Sequence, residues 1–146
     1  MAKQKLKNDT EKLLGSIING ILDKKGQHIM IMDFTGFSSA ICDYFVICHG
    51  TSNVQVQTLA ESVEQTVKKE LEIRVSRREG LQNAEWVLLD YFNVIVHIFQ
   101  EEKRNFYKLE QLWADAPTVN IDDFIKPVKK ATKNVRATKT TTKKTK

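Results

Sequence analysis

The chain has 146 residues, 41% of them hydrophobic, which suits one globular domain with a single core. Its formal charge of +5 is unevenly placed: nine of the 23 basic residues follow residue 125, where no Asp or Glu occurs, leaving 14 basic against 18 acidic residues before it, a net of about −4. An acidic domain argues against nucleic-acid binding through its folded surface, and its apolar runs fall well short of the roughly 20 residues of a membrane span.

Residues 10–25 place Leu14, Ile17, Ile18, Ile21 and Leu22 at helical spacing, and Gly26 is the expected left-handed cap. Ile29 to Met32 reads as a strand, and Thr35 to Ser39, around Gly36, as a turn. Tyr44 to Cys48 is apolar at every position, the pattern of a strand covered on both faces. Ser52 followed three residues later by Gln55 forms a capping-box pattern. Val56, Leu59, Val63, Val67 and Leu71 behind it predict a helix over 53–71. At about 28 Å, that helix crosses a small sheet and returns the chain for a parallel strand, expected at Ile73 to Arg77.

Glu79 to Ala84 reads as a loop, and Trp86 to Tyr91 and Val94 to Phe99 as two strands joined by a two-residue turn at Phe92-Asn93. A last helix, about Lys103 to Trp113, carries Phe106, Leu109 and Leu112 or Trp113 on one face, with Pro117 as its stop. The order predicts an α/β domain over residues 1–117, with a mixed sheet of about five strands flanked by helices. Val119, Ile121, Phe124 and Ile125 mark residues 118–125 as a docking segment. Residues 126–146, rich in Lys and Thr, supply no core and are expected to form a disordered basic tail.

Gly50-Thr51-Ser52 at a helix start resembles a phosphate cradle but lacks the glycines of the phosphate-loop or dinucleotide sequences, so Thr51 and Ser52 are expected to serve as turn and cap. Cys42, Cys48 and His49 are poor zinc ligands, because the spacing spans a buried strand and sets the two thiols apart. With no apolar signal segment after Met1, the two cysteines fit a reducing cytoplasm and core positions. His97, inside an apolar strand, is expected to be a satisfied, half-buried histidine, and Asp33, Asp43 and Asp90 to bond backbone N–H groups at strand ends. No nucleophilic triad presents itself, and neither metal nor cofactor is expected.

Strand alternation sends Trp86, Leu88 and Asp90 to one face and Val87, Leu89 and Tyr91 to the other, so these aromatics cannot all fill one core. Some are expected to be exposed, Phe92 in the turn first of all. An aromatic rim on a charged domain is the composition of a protein-binding hot spot.

Three phrases carry a family resemblance: Asp43-Tyr44-Phe45-Val46-Ile47-Cys48-His49-Gly50-Thr51-Ser52, Glu85-Trp86-Val87-Leu88-Leu89-Asp90-Tyr91, and Val94-Ile95-Val96-His97 leading into Arg104-Asn105-Phe106-Tyr107-Lys108-Leu109-Glu110-Gln111-Leu112-Trp113. Together they resemble the ribosomal silencing factor (Iojap) family over roughly residues 9–117. The resemblance implies a nucleotidyltransferase-like fold and a non-enzymatic repressor that binds the large ribosomal subunit through its protein number fourteen and blocks subunit joining. Matched motif to motif, it assigns the docking surface to Trp86, Tyr91, Phe92 and Asn93, with Glu79 and Gly80 nearby. The family usually has Gly-Asp where this chain has Phe92-Asn93. The basic tail lies outside the resemblance, with rRNA as its candidate contact, and a homodimer of the free protein stays open.

Two rival readings are a nucleotide-dependent transferase that keeps the fold's chemistry and an RNA-binding adaptor acting through the tail. Against the first, a metal-binding carboxylate pair would belong on the strand after the Ser52 helix, and Ile73-Arg74-Val75-Ser76-Arg77 has none. Against the second stands the acidic domain.

Overall fold

The computed structural model describes residues 2–38, 40 and 42–121. Helix α1 (Ala2–Asp23) leads into β1 (Gln27–Asp33) and β2 (Tyr44–Gly50), then α2 (Asn53–Leu71), β3 (Arg77–Glu79), β4 (Trp86–Asp90) and β5 (Val94–Gln100). Two short helices, α3 (Glu101–Tyr107) and α4 (Leu109–Leu112), and a two-residue strand, β6 (Thr118–Val119), complete it. The six strands form one sheet in the order β3-β4-β5-β2-β1-β6. Only β2 and β5 pair in parallel, and every other pair is antiparallel. The expected mixed α/β sheet is therefore present.

Helices α1 and α2 cover one face. Leu14, Ile17, Ile18 and Ile21 from α1 meet Leu59, Val63 and Val67 from α2 over Val46, Cys48, Val87, Leu89, Val96 and Ile98. The two helices approach closely, since a Cβ on Gly20 would sit 2.8 Å from the Val63 backbone, and Ser62 Oγ donates to the Gly20 carbonyl at 2.7 Å. The other face is thinner. Phe34, Phe45, Phe99, Leu109 and Ala116 form its small core, with Trp86 and Leu88 only partly covered.

Helix α2 begins and ends where its sequence places it, and Ser52 Oγ accepts the Gln55 N–H at 3.1 Å. The return contact of the capping box is displaced by one residue, because Gln55 Oε1 accepts from Thr51 N–H at 2.8 Å. Strand β2 is buried along almost its whole length, as its unbroken apolar run requires.

Four expectations fail. The left-handed residue after α1 is Lys25, at φ 64°, while Gly26 is needed because a Cβ there would run into the Ile21 side chain. No strand follows α2 at Ile73, since Glu72 closes the helix in a left-handed turn and pairing begins only at Arg77. That strand, β3, is antiparallel to β4 at the sheet edge, so the parallel partner of β2 is β5. The last helix breaks at Lys108, which adopts φ 51°. Leu109 is buried, but Phe106 and Leu112 are exposed, so the apolar face predicted for a continuous helix does not form.

After Pro117 the chain docks as β6 against β1, and Ile121 packs on the main core. Phe124, Ile125 and the Lys/Thr-rich segment lie outside the described residues. Among the described residues no helix is long and apolar enough to cross a membrane.

Candidate functional site: the edge of strands β3 and β4

Residues directly opposite in an antiparallel pair share a face. Arg77 pairs with Asp90, Arg78 with Leu89 and Glu79 with Leu88. Leu89 belongs to the helix-covered core, so Arg78 faces α2 while Arg77 and Glu79 share the opposite face with Trp86, Leu88 and Asp90. That second face, half-covered and at the sheet edge, carries Trp86 and Glu79 of the expected site.

Trp86 anchors it. Its indole stacks on Phe99 with centroids 4.9 Å apart, lies 4.9 Å from the Tyr107 ring, and donates from Nε1 to His97 Nδ1 at 3.1 Å. His97 is fully buried, deeper than expected, and burial lowers its pKa from 6.5 to about 4. The ring is therefore a neutral acceptor that fixes the indole. Tyr107, 49% exposed, and Phe106, 76% exposed, extend the aromatic surface beyond Trp86. Sequence reading missed Tyr107, whose contact with the Trp86 ring depends on how α3 packs against the sheet.

Glu79 ion-pairs with Arg77 at 3.1 Å on the surface. Gly80 follows at φ 84°, a conformation that favours glycine, and a Cβ there would strike the Trp86 carbonyl oxygen. The loop is thus shaped to pass close under Trp86.

The hairpin tip separates three neighbours that the sequence grouped together. Phe92 is 77% exposed and sits at φ 73°, with its N–H held by Asp90 Oδ1 at 2.8 Å. Asn93 N–H bonds the Tyr91 carbonyl at 2.9 Å, and Tyr91 N–H bonds the Val94 carbonyl at 2.9 Å, which closes the expected two-residue turn. Asn93 ties this turn to the rest of the fold: its side chain donates to Thr10 Oγ1 at 2.7 Å, and its carbonyl accepts from the N–H groups of Asp43 and Tyr44. Tyr91 is the correction. It is only 4% exposed and belongs to the core under α1 and α2, so its ring offers a partner no surface. Alternation predicted that Tyr91 and Trp86 part company, but not that the Tyr91 side is the better filled.

The remaining candidates resolve into structural roles. Thr51 N–H and Ser52 Oγ are engaged by Gln55, so the α2 start spends those groups on its own cap. The strands beside the Gly50 end of β2 present Gln27, paired with His49, and Gln100, paired with Gly50, whereas two strands separate β3 from β2. Cys42 and Cys48 are free and buried, and burial pushes their thiols up to about 11 and about 12. Asp33 and Asp90 accept backbone N–H groups at their strand ends. Among the described residues, no three His, Cys, Asp or Glu side chains are placed to hold a metal ion.

One cluster was not foreseen. Arg104, buried in the last turn of α3, donates to the His28 carbonyl at 2.7 Å, lies 3.0 Å from His49 Nδ1 and pairs with Glu110 at 3.1 Å. Desolvation first, and then the Arg104 charge, hold the His49 pKa below its usual value. This knot secures α3 and α4 to the ends of β1 and β2.

Comparison with known proteins fits this fold. A family model described as "Ribosomal silencing factor during starvation" matches residues 7–146, a span that includes the basic tail, so the family likeness reaches further than residues 9–117. The ribosomal silencing factor of Halalkalibacterium halodurans is 41% identical over 115 residues, covering 79% of this chain and 97% of that protein. A crystal structure of a Bacillus halodurans protein superposes with a TM-score of 0.64 at 38% identity, covering 74% of this chain and 96% of that one. A more distant relative, the mouse protein named "Mitochondrial assembly of ribosomal large subunit protein 1", is 31% identical over 74 residues, covering 49% of this chain and 32% of that protein. On the extent of the family match and the identity to its bacterial members, the chain belongs to the ribosomal silencing factor family.

Proposed function

We propose that this chain is a non-enzymatic translational repressor of the cytoplasm that docks on the intersubunit face of the large ribosomal subunit, at ribosomal protein number fourteen, and sterically excludes the small subunit. The contact surface is Trp86, Phe92 and Asn93, with Glu79 and Gly80 of the neighbouring loop. Tyr91 acts from beneath, by supporting the hairpin.

The observation that carries this reading is the half-covered face of β3 and β4. Trp86 is locked there by His97, and Phe92, in the hairpin turn at the far end of β4, is exposed with no core to fill. Rigid aromatic anchors of this kind carry much of the energy of protein interfaces. Family membership supports a ribosomal target, and the name of the mouse relative points to the large subunit. The Lys-rich segment from Lys126 onward adds charge attraction to rRNA. A transferase reading finds little support at the α2 start, where the Thr51 and Gln55 N–H groups are already bonded within the cap.

Sedimentation with purified subunits tests the proposal. The chain should travel with large subunits and not with small ones, and binding to small subunits alone would refute it.

A further inference from the structure

The acidic balance of the folded part conceals one basic face. An open groove of about 650 Å³ runs between the C-terminal half of α2 and the segment leading into β3, lined by the cations Lys68, Lys69, Arg74 and Arg78 with Glu64 as its one carboxylate. Arg78 Nη1 pairs with Glu64 at 3.2 Å. Lys68, Lys69 and Arg74 are exposed, and among the described residues none of them joins a salt bridge. Glu70 and Glu72, the nearest acids in sequence, do not line the groove, and Glu70 accepts from Ser16 Oγ at 2.8 Å on the α1 side. Three unmatched positive charges thus sit together on a domain whose net charge is negative.

We propose that this groove binds the phosphate backbone of RNA. Its shallow, polar form suits a repeating polyanion better than an enclosed small molecule. Lys68 and Lys69 occupy the last turn of α2, where the helix end favours cations, and Arg74 and Arg78 bring guanidinium groups that match phosphate geometry. The groove also shares β3 with the docking edge: Arg78 turns into it while Arg77 and Glu79 turn to the Trp86 side. A chain docked by that edge brings the groove beside the surface it docks on. That rRNA is the RNA in question rests on the docking proposal. The groove's affinity for phosphates does not.

The test compares the full chain with the triple variant Lys68→Gln, Lys69→Gln, Arg74→Gln, whose three side chains are exposed and leave the core untouched. Binding of a short RNA hairpin, and separately of purified large subunits, is measured across a salt series. Each lost phosphate contact lowers the slope of log affinity against log salt by about 0.7 to 0.9, so the variant should be shallower by about 2 to 3. Acetylation footprinting of the unmutated chain locates the contact: RNA should protect Lys68 and Lys69 and spare Lys24 and Lys25. Equal slopes, with RNA protection confined to lysines beyond residue 125, would overturn the proposal. A slope change and protection with the hairpin, in a chain that ignores large subunits, would uphold the groove and count against the docking reading alone.

Discussion

The Trp86 indole N–H donates to Nδ1 of His97 at 3.1 Å, so the most prominent aromatic of the proposed docking face is oriented by a histidine that the fold keeps uncharged. In the folded chain His97 stays neutral down to about pH 4, whereas in the unfolded chain it takes up a proton near pH 6.5. Between these values the unfolded state binds more protons, so stability rises with pH. This contribution is fully present above about pH 6.5 and is lost as pH falls towards 4. On the order of 3 kcal/mol is at stake. Melting curves should therefore show the wild type losing stability relative to His97→Leu as pH falls from about 6.5 towards 4. A difference independent of pH would show that His97 titrates normally.

Tyr91 and Phe92, adjacent in sequence, should behave oppositely. Tyr91→Ala empties a core position and should cost about 3 to 5 kcal/mol of stability. The buried Tyr91 hydroxyl finds no hydrogen-bond partner among the described residues, so Tyr91→Phe should be neutral or stabilising by about 1 kcal/mol. Urea titration of both variants checks this. A strongly destabilised Tyr91→Phe would reveal a partner for the hydroxyl.

Phe92 holds a positive φ of 73°, which costs a side-chain-bearing residue about 1 to 2 kcal/mol. Phe92→Gly should relieve that strain and, after the extra entropy of an unfolded glycine, gain up to about 1 kcal/mol. If the exposed ring is a docking contact, the same variant should bind large subunits at least tenfold more weakly, a loss of about 1.4 kcal/mol. A gain in stability with unchanged binding would remove Phe92 from the interface.

Arg104 should be intolerant of Lys. An ammonium cannot reach Glu110, the His28 carbonyl and the His49 ring together as the guanidinium does. Because Glu110 keeps some contact with water, Arg104→Lys should cost about 2 kcal/mol, less than the breaking of a fully buried pair. The loss should show as faster amide exchange in α3 and α4. Unchanged exchange there would mean that the knot does not hold these helices.

Much of the fold was legible because its signals are local. Ser52, Gln55 and the spaced apolar residues behind them define α2 to the residue, and the unbroken apolar run after Tyr44 announces a strand buried on both sides. The failures arise where tertiary context overrides local preference. Ile73 and Val75 favour a strand, yet the left-handed turn at Glu72 carries the chain to a sheet edge that can pair only three residues. Phe106 and Leu112 have helical spacing, but Lys108 breaks the helix that would have turned them inward. Alternation separated Trp86 from Tyr91 correctly. Which of the two faces is well filled depends on α1 and α2 packing on one side and only short helices on the other, and no pattern within β4 records it. The basic groove escaped notice for a similar reason, since net charge averages over surfaces that folding keeps apart.

The central claim is that the Trp86 and Phe92 face occupies the large subunit and thereby prevents joining. Light scattering of purified large and small subunits, mixed with the wild type and with Phe92→Ala, tests it most directly, because Phe92 is exposed and its truncation should leave the fold intact. The account predicts that the wild type suppresses the rise in scattering as subunits join, and that Phe92→Ala, with an unchanged melting temperature, needs at least tenfold more protein to do so. Subunits that join normally in saturating wild type, or a stable Phe92→Ala that blocks joining as well as the wild type, would contradict it.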